Sequence, residues 1–190
     1  MKRFILVLLA LCFVFALCAC NKEDETIVQD GMKLAGREAG NQAVDFNFTY
    51  PEAWELIRND GVVELQLDCD DSAATAQYAT LTVLTFSLYD PNQSAKAYWA
   101  EYEKDVSALY KDYKLLDTEE YNEADKYLDD APALKVKYQG ALNGKSYVNE
   151  QLICCRYGKV YIITAVVPEE FSDKILGVMA SVKANFNFVD

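Results

Sequence analysis

Asp68, Cys69, Asp70 and Asp71 form a compact group of residue types that bind metals. Carboxylate oxygens are the ligands that hard divalent cations such as Ca²⁺ prefer. The group lacks the glycine and the distal glutamate of a dedicated calcium-binding loop, and acidic residues are also common at exposed turns. Two interpretations stay open, namely a divalent-metal site formed by Asp68, Asp70 and Asp71, or a charged turn at a strand end.

A second acidic group flanks one predicted loop. It consists of Glu119 and Glu120 on one side and Asp129 and Asp130 on the other. These carboxylates could gather a cation or a basic partner. Charge runs usually face water, which favours a solvated loop.

Histidine is absent from the chain. Histidine is the commonest general base and a frequent transition-metal ligand, and a serine nucleophile needs a base within hydrogen-bond reach. A sugar-cleaving carboxylate pair is defined by a distance in space that a sequence does not give. We therefore expect a protein without catalytic activity and without a cofactor. An enzyme of unrecognised type ranks third, behind the two binding functions given at the end of this section.

The amino terminus has the pattern of a cleavable leader. Lys2 and Arg3 precede an apolar run from Phe4 to Ala16, which is typical of a secretory signal. The closing sequence Leu17-Cys18-Ala19-Cys20 resembles the lipobox of bacterial lipoproteins. The resemblance implies cleavage after residue 19, a diacylglycerol thioether on Cys20, and further acylation of its amino group by a fatty acid such as palmitate.

The length of the apolar stretch argues against a membrane-spanning helix. Residues 4–19 are about 16 residues long, whereas a helix needs about 20 to cross a bilayer core. Two or three acyl chains suffice to hold a soluble domain on a membrane surface. We therefore expect an extracytoplasmic protein anchored to the membrane lipid through acylated Cys20. An ordinary secreted protein and an N-terminal membrane span are the alternatives.

Three cysteines remain after the predicted cleavage, and they are Cys69, Cys154 and Cys155. An oxidising compartment would allow a disulfide between Cys69 and one of the other two. The alternative is three buried thiols that act as small hydrophobic residues. Cys154 and Cys155 are adjacent in a predicted strand and should point to opposite faces, so they do not readily bind one metal ion.

The sequence divides into a leader (1–19), a lipidated cysteine with a polar tether (20–41) and one domain (42–190). The formal net charge is −12, and removal of the two cations in the leader makes it −14. Such a surface repels phosphate backbones, so we exclude nucleic acid as a partner. A protein or another envelope component is the expected partner.

Hydrophobic periodicity predicts an antiparallel sheet with two helices. The predicted strands span about residues 43–50, 54–58, 63–67, 78–89, 113–118, 134–139, 146–156 and 159–167, with a short closing strand at 186–189. One helix is predicted from Asp90 to about Asp112 and another after Pro168. Residues 119–130 are predicted to form a loop.

Tyrosines cluster in and after the first predicted helix. Tyr98 falls off its apolar stripe and Tyr110 lies at the edge. Because tyrosine is enriched at protein interfaces, these two residues form a candidate partner-binding surface. Packing into the core is the alternative.

The segment Phe46-Asn47-Phe48-Thr49-Tyr50-Pro51-Glu52-Ala53-Trp54 resembles the start of PsbP-like domains, and the strand from Tyr161, the last helix and Asn185-Phe186 resemble their end. The resemblance implies an α+β fold, an α/β/α sandwich around a twisted, mainly antiparallel sheet. It also implies a binding or scaffolding function, with no catalytic residues to carry over. A lipoprotein that binds a small ligand or a divalent metal is the alternative function.

Overall fold

The computed structural model describes residues 31–70, 76–124 and 127–189. The leader, Cys20 and Asp71 lie outside these ranges. The strands in the described ranges are β1 (Met32–Gly36), β2 (Phe46–Pro51), β3 (Glu55–Asn59), β4 (Val63–Asp68), β5 (Tyr78–Ser87), β6 (Lys111–Tyr121), β7 (Ala133–Leu142), β8 (Lys145–Arg156), β9 (Lys159–Pro168) and β10 (Asn187–Phe188). The α-helices there are α1 (Ala95–Ser107), α2 (Ser172–Ile175) and α3 (Val178–Asn185).

The strands form two antiparallel sheets. Seven of them make a large sheet in the order β3-β4-β5-β9-β8-β7-β6, and three make a small sheet in the order β1-β2-β10. The described strand pairs are all antiparallel, as the turn signals and alternating pattern predicted. No helix in the described part of the chain is long and apolar enough to cross a membrane.

The large sheet is covered on both faces. On one face, α1 packs through Trp99, Tyr102 and Val106 onto β7, β8 and β9. The small sheet and α3 cover the other face, where the rings of Phe46 and Phe186 stack at 5.2 Å. Strand β9 serves both sides, because alternate residues of a strand point to opposite faces. This explains why its sequence is almost continuously apolar.

The described fold includes residues before the predicted domain boundary at residue 41. Strand β1 pairs with β2 from Met32 opposite Pro51 to Gly36 opposite Asn47. Asn41 is buried, and its side-chain oxygen accepts hydrogen bonds from the backbone of Ala43 and Gly61. Residues 31–41 of the predicted tether therefore belong to the folded domain. A five-residue strand is too short to give a readable alternation in the sequence.

Other element boundaries also differ from the predictions. Helix α1 begins after Ser94, whose hydroxyl accepts from the Ala97 amide at 3.2 Å, whereas Asp90 accepts from the Asn92 amide in the preceding turn. Strand β6 continues to Tyr121, into the segment predicted as a loop, because β7 supplies a partner along this length. The last predicted helix is divided into a short 3₁₀ turn, α2 and α3.

Candidate functional site

An open cleft of about 650 Å³ lies between α3 and the β6-β7-β8 part of the large sheet. We call it the α3 cleft. Its lining combines aromatic, charged and apolar side chains, and consists of Tyr121, Ala124, Tyr127, Asp129, Lys135, Glu150, Leu152, Met179, Ala180, Lys183, Ala184, Phe186 and Asn187.

Helix α3 forms one wall of the cleft because it is amphipathic. Met179 and Val182 are buried against the core, while Ala180 and Ala184 are exposed one turn apart. Residues four apart lie on the same helix face. The two alanines therefore leave the cleft open where larger side chains would fill it.

Lys135 of β7 is neutralised within the sheet. Its Nζ lies 2.9 Å from Glu119 Oε2 and 3.7 Å from Asp117 Oδ2, both on the neighbouring strand β6. The register places Lys135 directly opposite Glu119. The hydrogen bond to Glu119 raises the pKa of Lys135. This lysine is therefore a fixed cation whose charge is already compensated.

Glu150 of β8 is half-buried in the cleft wall. No hydrogen bond or ion pair with another described residue engages its carboxylate. Burial raises the pKa of Glu150, while Lys135 and Lys137 act in the opposite direction. Lys137 lies opposite Glu150 in the β7–β8 register, so the ionised carboxylate has cations nearby but no direct ion pair with a described residue.

Lys183 and Tyr121 form a contact across the cleft. The Lys183 Nζ lies 4.5 Å from the centre of the Tyr121 ring, a cation–π geometry. Burial raises the pKa of Tyr121, so its phenol is neutral at physiological pH.

The segment before β7 holds the other rim of the cleft. Asp129 has a left-handed backbone with φ of 56°, and its carboxylate accepts from the Phe188 amide at 2.9 Å. Leu128 is fully buried and pairs with Ala131. These contacts fix the backbone next to Tyr127, which lines the cleft.

The acidic group around the predicted loop does not form one cluster. Glu119 contacts Lys135, Glu120 accepts from Lys96 at 2.7 Å, and Asp129 accepts from the Phe188 amide. Asp130 accepts two hydrogen bonds of 3.1 Å from Arg156. Each carboxylate thus has its own partner in the chain.

The residues predicted to bind a metal lie at an exposed turn after β4. Asp68 Oδ1 accepts from the Asp70 amide at 3.2 Å, and Asp71 lies outside the described residues. Within the described ranges, no group of three or more acidic or cysteine side chains is arranged to hold a metal. A metal site that involves Asp71 remains a prediction.

The two candidate contact tyrosines pack mainly inside the molecule. The ring of Tyr98 lies 5.5 Å from that of Tyr102, and the hydroxyl of Tyr110 donates to Asn149 at 3.0 Å. Burial raises the pKa of both Tyr98 and Tyr110 to about 12. Both rings pack against the core beneath α1, so a partner contact through them remains a prediction with little exposed surface to support it.

The three described cysteines are free thiols. The backbone amide of Cys69 donates a hydrogen bond to the carbonyl oxygen of Gln77, which immediately precedes β5. Cys154 of β8 lies opposite Tyr161 of β9, and Tyr161 lies opposite Thr85 of β5. Gln77 and Thr85 are eight residues apart along the direction of β5, so at about 3.3 Å per residue they are separated by roughly 26 Å. A disulfide needs Cα atoms about 4.4–6.8 Å apart, so this register holds Cys69 too far from Cys154 and Cys155 for the disulfide that the sequence left open as an alternative.

Cys154 and Cys155 point to opposite faces of β8, as predicted. Cys154 belongs to the core under the small sheet, and Cys155 packs against the core under α1. Burial raises the pKa of Cys154 to about 12 and that of Cys155 to about 11. Both therefore remain protonated thiols at physiological pH.

No protein-family model matches the chain, and no curated protein is similar to it in sequence. The solution structure of CyanoP, the PsbP protein of Synechocystis sp. PCC 6803, is similar with a TM-score of 0.56 and 13% identity, over 90% of this chain and 98% of that chain. The crystal structure of a protein of unknown function from Pseudomonas aeruginosa is similar with a TM-score of 0.51 and 15% identity, over 70% of this chain and 85% of that chain. This chain therefore has an α+β, PsbP-like fold, as its aromatic strand and Tyr-Pro-x-x-Trp sequence predicted. At these identities, the similarity concerns the fold alone.

Proposed function

We propose that this protein is a membrane-anchored extracytoplasmic lipoprotein that binds a protein or another envelope component in the α3 cleft and catalyses no reaction. The leader and the lipobox ending at Cys20 support the location and the anchor. The α3 cleft supports the binding function, and it is the observation on which the proposal depends.

The dimensions and lining of the cleft suit a binding site. Its volume falls in the range of about 300–1,000 Å³ that is usual for ligand sites. The exposed alanines Ala124, Ala180 and Ala184 supply apolar area to bury, and a few charged groups supply specificity.

The anchor is tested by replacing the sulfur that carries the lipid. A Cys20→Ser variant should leave the membrane fraction and run as an unacylated chain, because the thioether cannot form. Fractionation and intact-mass measurement of native protein check this. A variant that still partitions with membranes, or a native chain whose mass shows an uncleaved start, would contradict the lipid anchor.

The binding function is tested by filling the cleft from its exposed side. Ala184→Trp places an indole in the opening without replacing a buried side chain. Crosslinking in cells followed by affinity capture of the full-length protein should recover a reproducible partner, and this variant should reduce the recovery at least about fivefold. Ala100→Trp is the matched control, because Ala100 is an exposed alanine on α1, away from the cleft.

Equal recovery with Ala184→Trp and the wild-type protein would show that the cleft is not the binding site. Both variants should keep the wild-type melting temperature within a few degrees, so a general loss of folding is recognised in the same experiment.

A further inference from the structure

The charges of the α3 cleft are unequally compensated. Lys135 is held by Glu119 and Asp117, and Lys183 lies over the ring of Tyr121. Asp129 accepts from the Phe188 amide. Among the four charged residues of the lining, Glu150 is the one whose side chain makes no hydrogen bond, ion pair or ring contact with a described residue.

A half-buried carboxylate without a close partner loses hydration and gains little in return. Lys135 and Lys137 act on Glu150 as cations, and the carboxylates of Asp117 and Glu119 oppose their effect. A cation that enters the cleft would meet a Glu150 carboxylate that makes no hydrogen bond or ion pair with a described residue. An anion would meet both this carboxylate and cations that already have partners.

The remaining lining suits a long side chain that ends in a positive charge. Tyr127 lines the cleft with an aromatic ring, which attracts cations, whereas Lys183 already lies over the ring of Tyr121. The exposed methyl groups of Ala180 and Ala184 offer an apolar surface on which the methylene stem of arginine or lysine can lie. The net charge of −14 in the cleaved chain also favours approach of a basic partner over long distances.

Resting on the function proposed above, we propose that the α3 cleft receives a basic side chain, arginine or lysine, from a polypeptide segment of the partner, with Glu150 as its counter-ion. A polypeptide fits better than a small inorganic cation, because the cleft is larger than an ion needs and its lining is partly apolar.

The test compares two peptides that differ in charge alone. The full-length acylated protein in nonionic detergent is titrated with acetyl-Leu-Ala-Arg-Ala-Leu-amide and with the same peptide containing citrulline, the neutral isostere of arginine. The arginine peptide should bind about tenfold more tightly, and this preference should shrink when salt screens the pair. Glu150→Gln should abolish the preference. Glu64→Gln, which changes another half-buried glutamate with a raised pKa on β4, should leave it intact.

Equal affinity for the two peptides, no binding of either, or a preference that survives Glu150→Gln would overturn the assignment. If argininamide bound as tightly as the arginine peptide, the inference that the occupant is a polypeptide segment would be wrong. The capture experiment separates this failure from that of the proposed function. If Glu150→Gln retains the partner and Ala184→Trp loses it, the cleft binds the partner by other means; if both variants retain it, the function itself is wrong.

Discussion

Asp45 joins the small sheet to the large one. Its carboxylate accepts hydrogen bonds from Lys159 at 2.5 Å and from Tyr161 at 3.0 Å, and its backbone oxygen accepts from Val189. Burial acts to raise the pKa of Asp45, but these two side-chain hydrogen bonds outweigh it and lower the pKa. The ionised carboxylate therefore stabilises the folded state.

We predict that Asp45→Asn lowers the free energy of unfolding by about 1–2 kcal/mol at pH 7, since it removes charge-assisted hydrogen bonds. Because the pKa of Asp45 is lower in the folded state, its stabilisation is complete above the unfolded value of 3.8 and is lost as the pH falls through the folded value. Denaturant unfolding of both proteins at pH 7, 5 and 3 should show the difference shrinking at the lowest pH.

Asp60→Asn provides the control for this measurement. Asp60 also pairs with a cation, Arg58, but the pair is exposed to solvent, and such pairs contribute little. A difference between wild type and Asp45→Asn that stayed constant down to pH 3 would show that the effect is not electrostatic.

At the scale of the elements, alternating residues were sufficient to predict β2, β4 and β7, since burial of one face leaves a period of two in the sequence. Turn signals and apolar runs were sufficient to predict β8 and β9. Elements that depend on a partner strand were not predictable in the same way. Strand β1 has five residues, and the end of β6 is rich in charge. Both exist because a neighbouring strand satisfies their backbone groups, and the sequence of one strand does not reveal its neighbour.

The α3 cleft shows the same limit for the candidate site. Glu150 gave little local signal, because it stands between Asn149 and Gln151 in a polar stretch of β8. The opposing wall comes from α3, more than twenty-five residues later in the chain, and its exposed alanines carry no chemical signal. A cleft is defined by the distance between such elements in space, and the hydrophobic periodicity of a sequence gives no information on that distance. The two acidic clusters that the sequence does reveal lie at residues 68–71 and 119–130. Where the structure describes them, their carboxylates accept hydrogen bonds in a turn or form ion pairs with nearby lysines.

At the scale of the whole molecule, stability comes from a large sheet covered on both faces. Helix α1 covers one side, and the small sheet with α3 covers the other. This arrangement provides two extensive apolar layers, which is the main stabilising contribution in a domain of this size. A disulfide is not needed to hold it together, even in an oxidising compartment.

We therefore predict that reductant leaves the melting temperature unchanged. Cys69 and Cys154 lie near opposite ends of the sheet, so air-oxidised protein should retain all three domain thiols. Alkylation after unfolding without reductant, followed by mass measurement of the domain, should count three modified cysteines. A count of one, together with a lower melting temperature in reductant, would mean that two of these cysteines form a bridge and that the strand register linking them is wrong.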